Sequence, residues 1–476
     1  MSIPIFDESD FMNMSPNGDY YLANDIALLP NDMYTQVFTG TFDGRNNRIT
    51  VAINSNATNV GLFSQVGSGA KIHDLIVDGQ ITGGINSQNV GGIAGEVSVC
   101  EIAYCTNLAE VTGLSSTSSV GGIVGSIIDF AILGGCSNNG TITGGQYVGG
   151  IIGKSVNTAE SIKYCRNAGT IQGNKNNVAL DGGRYIAGIV AYISDATNFH
   201  DHTNIGKILG SDFNYAGGIA GYLGNCYVAA SCNSGIVADA KNYVGGIVGY
   251  LSNASLEGCI NTNWIDSGTA VAGAIVGYNN GTLTNNYFDE QMCIVNGIGN
   301  NPNSSVPNQA EGRPTVSMLG NILEPLLKPN GVGFGPGYNW VFANNLYPRL
   351  GEPAPITYYD HPIALLSAAP IYLKEIPPPM EKLDDVSTDF YVSNYNTNPP
   401  FLPPPPITPP YYYQWGWYPG GVFTPSSQMG YISVPNTPPP YLNNAIINGT
   451  GVGQDALAVR LTTDLIYEKI IPINVR

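Results

Sequence analysis

A chain of 476 residues exceeds the size at which single compact cores usually stop growing, so it holds either several domains or one elongated array. With 60 glycines and only 11% charged residues it excludes a helical solenoid, because each interior glycine costs a helix about 1 kcal/mol relative to alanine. A formal charge of -17 with no Lys/Arg cluster repels phosphate backbones and excludes nucleic acid as a partner.

Residues 1–36 read as an N-terminal lead-in and cap, with a turn at Asn17-Gly18 and strand formers from Tyr20 to Ile26. No basic segment followed by an apolar core and a small-residue cleavage site opens the chain, so a Sec signal is not expected. No apolar stretch is long enough to predict membrane insertion.

From residue 37 to about 300 one phrase recurs: Val90-Gly-Gly-Ile-Ala-Gly95, Val120-Gly-Gly-Ile-Val-Gly125, Val148-Gly-Gly-Ile-Ile-Gly153, Ile186-Ala-Gly-Ile-Val-Ala191, Ala216-Gly-Gly-Ile-Ala-Gly221 and Val244-Gly-Gly-Ile-Val-Gly249. Val60-Gly-Leu-Phe63 opens the series, and Val271-Ala-Gly-Ala-Ile-Val-Gly277, read with one residue inserted, closes it. The leading positions are separated by 30, 30, 28, 38, 30, 28 and 27 residues. Short Val, Ile, Thr and Tyr runs between tight turns at such a period predict one coil of a β-solenoid per repeat.

Strict alternation along Val244–Gly249 puts Val244 on one face and Ile247 on the other. If the valines point inward, Ile93, Ile123, Ile151, Ile189, Ile219 and Ile247 form an exposed apolar stripe suited to assembly. A bend at the glycine pair would instead send both aliphatics inward, and both arrangements remain open on the sequence.

A second phrase follows at a near-constant offset, placing Cys105, Cys136, Cys165, Cys232 and Cys259 in a predicted ladder of reduced core thiols, with Thr203 in the longer fourth repeat. None of the eight cysteines forms a paired CxxC, so no zinc site is expected.

The two phrases together resemble the GLUG family of repeats. Phe38–Ile49 is similar to the family's opening Phe-x-Gly-x-x-Asp-Gly segment, Asn286-Tyr-Phe-Asp289 to its closing segment, and Trp340 with Tyr347-Pro-Arg-Leu350 to the sequence that often follows the last repeat. The resemblance spans about residues 15–352 and implies a right-handed parallel β-helix of a surface protein. It supplies no catalytic motif.

Residues 301–352 are expected to close the solenoid, and residues 353–476 to form an extended Pro/Tyr-rich arm ending in β-strands. Polyproline II is favoured by Pro377–Pro379, Pro403–Pro406, Pro409-Pro410 and Pro438–Pro440. The aromatic run of Tyr411, Tyr412, Tyr413, Trp415, Trp417 and Tyr418 calls for a surface to lie against. Terminal strands from Ala456 could build a small β-domain or add to a neighbouring subunit.

Candidates for chemistry are sparse. His73, Asp74 and Asp78 form one polar group and His200, Asp201 and His202 another. Asp78-Gly79 reads as a turn and the second group as an exposed loop, so neither predicts an active site, a metal or a cofactor. The expectation is a non-enzymatic structural subunit of a self-assembling surface fibre, filament or particle coat, on an extracellular surface or assembled particle, with itself as partner. The alternatives are a glycan-recognising adhesin and a polysaccharide-cleaving β-helix, or, for location, cytoplasmic assembly.

Overall fold

The computed structural model describes residues 2–302 apart from 157–160, 174–182, 197, 211–212, 239, 264, 267, 269, 291 and 294; residues 310–327 apart from 319; 340–342 and 347–350; and beyond these the backbone of strands between Ile371 and Val475. It is a parallel β-helix. One coil serves for all: Asn89–Gly91, Ala94–Val97, Cys100–Ala103, Thr106–Asn107 and Glu110–Gly113 are successive short strands. Each pairs in parallel with its counterpart in the next coil, as in Asn89↔Ser119, Ala94↔Val124, Cys100↔Ala131, Thr106↔Ser137 and Val111↔Ile142. The Val–Gly strands alone make an eight-stranded sheet from Asn59–Val60 to Val271–Gly273.

That sheet corrects the last repeat. Val271 pairs with Tyr243 and Ala272 with Val244, so Ala272 leads the phrase and no residue is inserted.

The isoleucine stripe is also overturned. Ile93, Ile123, Ile151, Ile189, Ile219 and Ile247 are all fully buried, and so are the aliphatics that follow each of them. The cause is a bend that resets strand parity. The amides of Ile151 and Ile152 both donate to the Ile189 carbonyl of the next coil, and Ile123 with Val124 and Ile247 with Val248 repeat the pattern. One residue per coil is absorbed in this way, and Val and Ile both reach the core.

Glycine is required at the bend. A Cβ at Gly149 would run into the Ile152 carbonyl, and one at Gly150 would strike the Gly188 carbonyl and the Asn167 side chain. That asparagine belongs to a ladder of Asn107, Asn138, Asn167, Asn204, Asn233 and Asn261, all fully buried. From Asn107 to Asn233 each Nδ2 donates to the Oδ1 of the next coil at 2.7–2.8 Å and to the carbonyl two residues on in its own coil, and Asn261, the last member, donates to the Asn263 carbonyl of its own coil. Burying an amide costs free energy unless its donors are used, and from Asn107 to Asn233 both are.

The asparagines also correct the thiol ladder. Cys105, Cys136, Cys165 and Cys259 stand two residues before an Asn, whereas Cys232 stands one before Asn233. Cys232 pairs with Thr203 and Ile260, one place out of the column, and the column itself reads Cys105, Cys136, Cys165, His202, Ser231, Cys259. The preceding corner residue adopts left-handed backbone in coil after coil, at Asp74, Tyr104, Gly135, Tyr164, Asp201, Ala230, Gly258 and Asn285.

At the N-terminal end the helix Glu8–Met12, capped by Asp7 accepting from the Asp10 amide, lays Phe11 against Tyr34, Phe42 and Phe63. The first strand, Ile3–Ile5, is short and carries Pro4, two features that blunt a sheet edge. Parallel pairing starts here, with Ile3↔Tyr20, so the solenoid includes the lead-in. Near the other end Met318, Leu323, Leu327, Trp340 and Tyr347 pack on Cys232, Ile260 and Tyr287 along one flank. Beyond residue 352, Tyr413–Trp417 pairs antiparallel with Gly453–Leu461, which pairs with Asp464–Val475. The terminal strands thus pair within the chain; Tyr411, Tyr412 and Tyr418 lie outside the described residues.

Two stability outcomes follow from these columns. Asn167→Ala removes two donated bonds and strands the Asn138 amide, so it is expected to lower stability by roughly 2–4 kcal/mol in urea denaturation followed by far-UV circular dichroism. Ala230→Gly relieves a left-handed alanine and is expected to raise stability by about 1 kcal/mol in the same experiment.

Candidate functional site

The bend that buries the isoleucines folds the outer surface into a re-entrant corner. Outward residues just before each Val–Gly and just after the phrase come together across it. In the N-terminal coils these two columns are polar: Asn59, Asn89 and Ser119 face Gln65, Glu96 and Ser126. Asn89 donates to Asn59 at 2.8 Å and to Glu96 at 3.1 Å, and Gln65 donates to Glu96 at 2.8 Å.

From the coil of Tyr147 onward the corner is aromatic. One column is Tyr147, Tyr185, Tyr215 and Tyr243; the other is Tyr192, Tyr222, Tyr250 and Tyr278. Every one of the eight is half-buried. Within a column the rings stack nearly parallel with centroids 4.4–6.0 Å apart. Between columns they meet edge to face, as Tyr185 does with Tyr192 at 5.2 Å and Tyr215 with Tyr250 at 5.3 Å. Offset-stacked and edge-to-face pairs are the arrangements that ring quadrupoles favour, each adding about 0.5–1.5 kcal/mol beyond burial. Lys154 marks the boundary, its Nζ 4.9 Å from the centre of the Tyr147 ring.

Since ring faces are turned on one another, the corner presents edges and phenol hydroxyls. Burial first, then the neighbouring phenols, pushes Tyr192 and Tyr250 up to about 12 and Tyr185 higher still. The hydroxyls of Tyr185, Tyr192 and Tyr250 are therefore neutral at any ordinary pH.

The chemistry candidates from the sequence are placed differently. His73 Nδ1 lies 2.9 Å from Asp74 and 3.6 Å from Asp43, a residue sequence reading missed because it comes from the coil below. The three ligand atoms of Asp43, His73 and Asp74 fall within 4.8 Å of one another. Asp78 is not part of this group; it pairs with Arg48 at 2.9 Å. His200 Nδ1 meets Asp201 at 2.6 Å, but Asp201 and His202 are buried rather than on an exposed loop. His202 stands in the thiol column against Phe199, its Nδ1 accepting from the Cys165 amide at 3.3 Å.

All eight cysteines are buried and form no disulfide with one another. Burial pushes Cys100 and Cys293 up to about 12 and Cys105 well above the ordinary thiol value, so these groups are small core hydrophobes rather than nucleophiles.

No family model matches the chain, and no relative is found among curated proteins. Among solved structures it overlaps a crystal structure described as a "putative immunoglobulin A1 protease from Bacteroides ovatus", at 17% identity and a TM-score of 0.34, over 73% of this chain and 92% of that one. The fold described above stands on this chain's own strand pairing.

Two pH responses are expected. Tyr192 and Tyr250 favour the neutral phenol in the folded state, so their stabilisation is complete below the unfolded value near 10 and is lost as pH rises toward about 12. Titration followed at 295 nm should lose a component near pH 12 in Tyr192→Phe and in Tyr250→Phe. At the acid side, burial and the nearby His200 imidazole hold His202 well below its ordinary value, so stability falls once pH drops below about 6.5. His202→Cys, which restores the column residue, should move the acid-unfolding midpoint to lower pH.

Proposed function

We propose that this chain is a non-catalytic structural subunit of an assembled surface fibre or particle coat, and that its lateral contact surface is the tyrosine corner. The observation that carries the reading is the strip of eight half-buried tyrosines running in two stacked columns along five coils. Contiguous aromatic surface of this kind on a soluble exterior marks a place of contact.

The isoleucine stripe considered from sequence loses its basis, because those side chains are internal. At the N-terminal end Phe11 packs in the core and the first strand is short and carries Pro4, features that do not favour end-to-end contact there, whereas the tyrosine corner favours lateral contact. The placement of the glycine pair at the bend and of asparagine in a ladder supports reading the repeats as GLUG-like.

The carboxylates weighed for hydrolysis are each engaged with a structural partner, Asp78 with Arg48, Asp74 with His73 and Asp201 with His200. This supports the non-enzymatic reading. Glycan recognition by ring stacking needs open ring faces, and the corner offers edges instead. Among the described residues no helix is long and apolar enough to cross a membrane.

Electron microscopy and light scattering of the full chain across a concentration series test the proposal. Regular lateral assemblies are expected, and Tyr222→Ser with Tyr250→Ser should raise the concentration needed for them at least tenfold. Assembly unchanged by these substitutions would remove the corner from the contact.

A further inference from the structure

Resting on that reading, we infer that the occupant of the tyrosine corner is the proline-rich segment Pro403–Pro410 of a neighbouring copy of this chain. The segment, Pro403-Pro-Pro-Pro-Ile-Thr-Pro-Pro410, lies outside the described residues, between strand Ser387–Val392 of one antiparallel sheet and strand Tyr413–Trp417 of another. Its composition dictates what it can be: proline fixes φ and favours polyproline II, and aromatic-lined grooves are the surfaces that bind that conformation.

Three further matches support the pairing. Polyproline II repeats every three residues, about 9.3 Å, while two coils of a parallel solenoid rise about 9.6 Å, so every third residue meets an equivalent pair of rings. The aromatic corner spans about 19 Å from the coil of Tyr147 to that of Tyr278, and eight residues of polyproline II extend about 22 Å. The hydrogen-bonding chemistry is complementary as well. Polyproline II leaves its carbonyls unpaired and its prolines have no N–H, and the corner carries two rows of phenol hydroxyls.

Charge adds to the case. Between Phe401 and Pro410 no residue is ionisable, so on a chain of net charge -17 this stretch approaches a second copy without carrying repulsion of its own. The corner's N-terminal half, with Glu96 and the polar Asn and Gln rows, offers no comparable seat.

The test is disulfide trapping in the full chain, where the eight native thiols are buried and do not compete. Chains carrying Tyr222→Cys are mixed under mild oxidation with chains carrying Pro405→Cys, with Tyr250→Cys as a second corner position should the first variant fail to fold. The expected result is an interchain disulfide at least tenfold above either single-cysteine chain alone, suppressed by a synthetic peptide of residues 401–410. A chain carrying both substitutions that closes only on itself would overturn the neighbour as the source. Absence of any disulfide at both positions, with assembly still seen by light scattering, would overturn this inference and leave the assembly reading standing. Absence of both would overturn the two together.

Discussion

In-register parallel stacking is the constraint on which the molecule depends. Backbone hydrogen bonds hold each coil about 4.8 Å above the last, so every residue sits on its own counterpart and its side chain must be tolerable as a column. Asparagine meets the condition in the core because its amide is both donor and acceptor and can chain indefinitely, each bond polarising the next. At the lower end the Asn107 Oδ1 accepts no hydrogen bond, and at the upper end Phe288 replaces the asparagine. The ladder is therefore finite, and it runs unbroken through the longest repeat, between Asn167 and Asn204.

The same constraint explains the glycines and, through them, the surface. A buried asparagine column needs room, which the second glycine of each pair supplies. The bend this permits turns one corner inward, and a re-entrant corner brings two outward columns face to face. Tyrosine satisfies such a place: its ring stacks along the column and packs edge-on across it. A core requirement thus creates the exterior feature to which we assign contact.

The period, the β-class and the coil content were legible in the sequence because turns and β-branched runs recur visibly. Side-chain direction at the bend was not, since alternation counts residues and cannot show that two amides share one carbonyl at Ile151 and Ile152. Cysteine misled the register at Cys232, where the Cys-to-Asn spacing of two residues, seen in four other coils, was the better guide. The tyrosine corner was missed altogether. Tyr185 and Tyr192 lie seven residues apart, and only recurrence of that spacing at 215 and 222 and at 243 and 250, read against the bend between them, could have exposed it. The buried pair of Asp201 and His202 was hidden for a related reason: the irregular length of the fourth repeat suggested a loop where the coil continues.

Oxidative footprinting of the full chain at rising concentration tests the central claim most directly. With the corner as the contact surface, Tyr185, Tyr215, Tyr222 and Tyr250 lose reactivity as the chain assembles, while Tyr227, exposed on another face, keeps it. Corner tyrosines that remain as reactive in the assembled protein as in dilute solution would contradict the account.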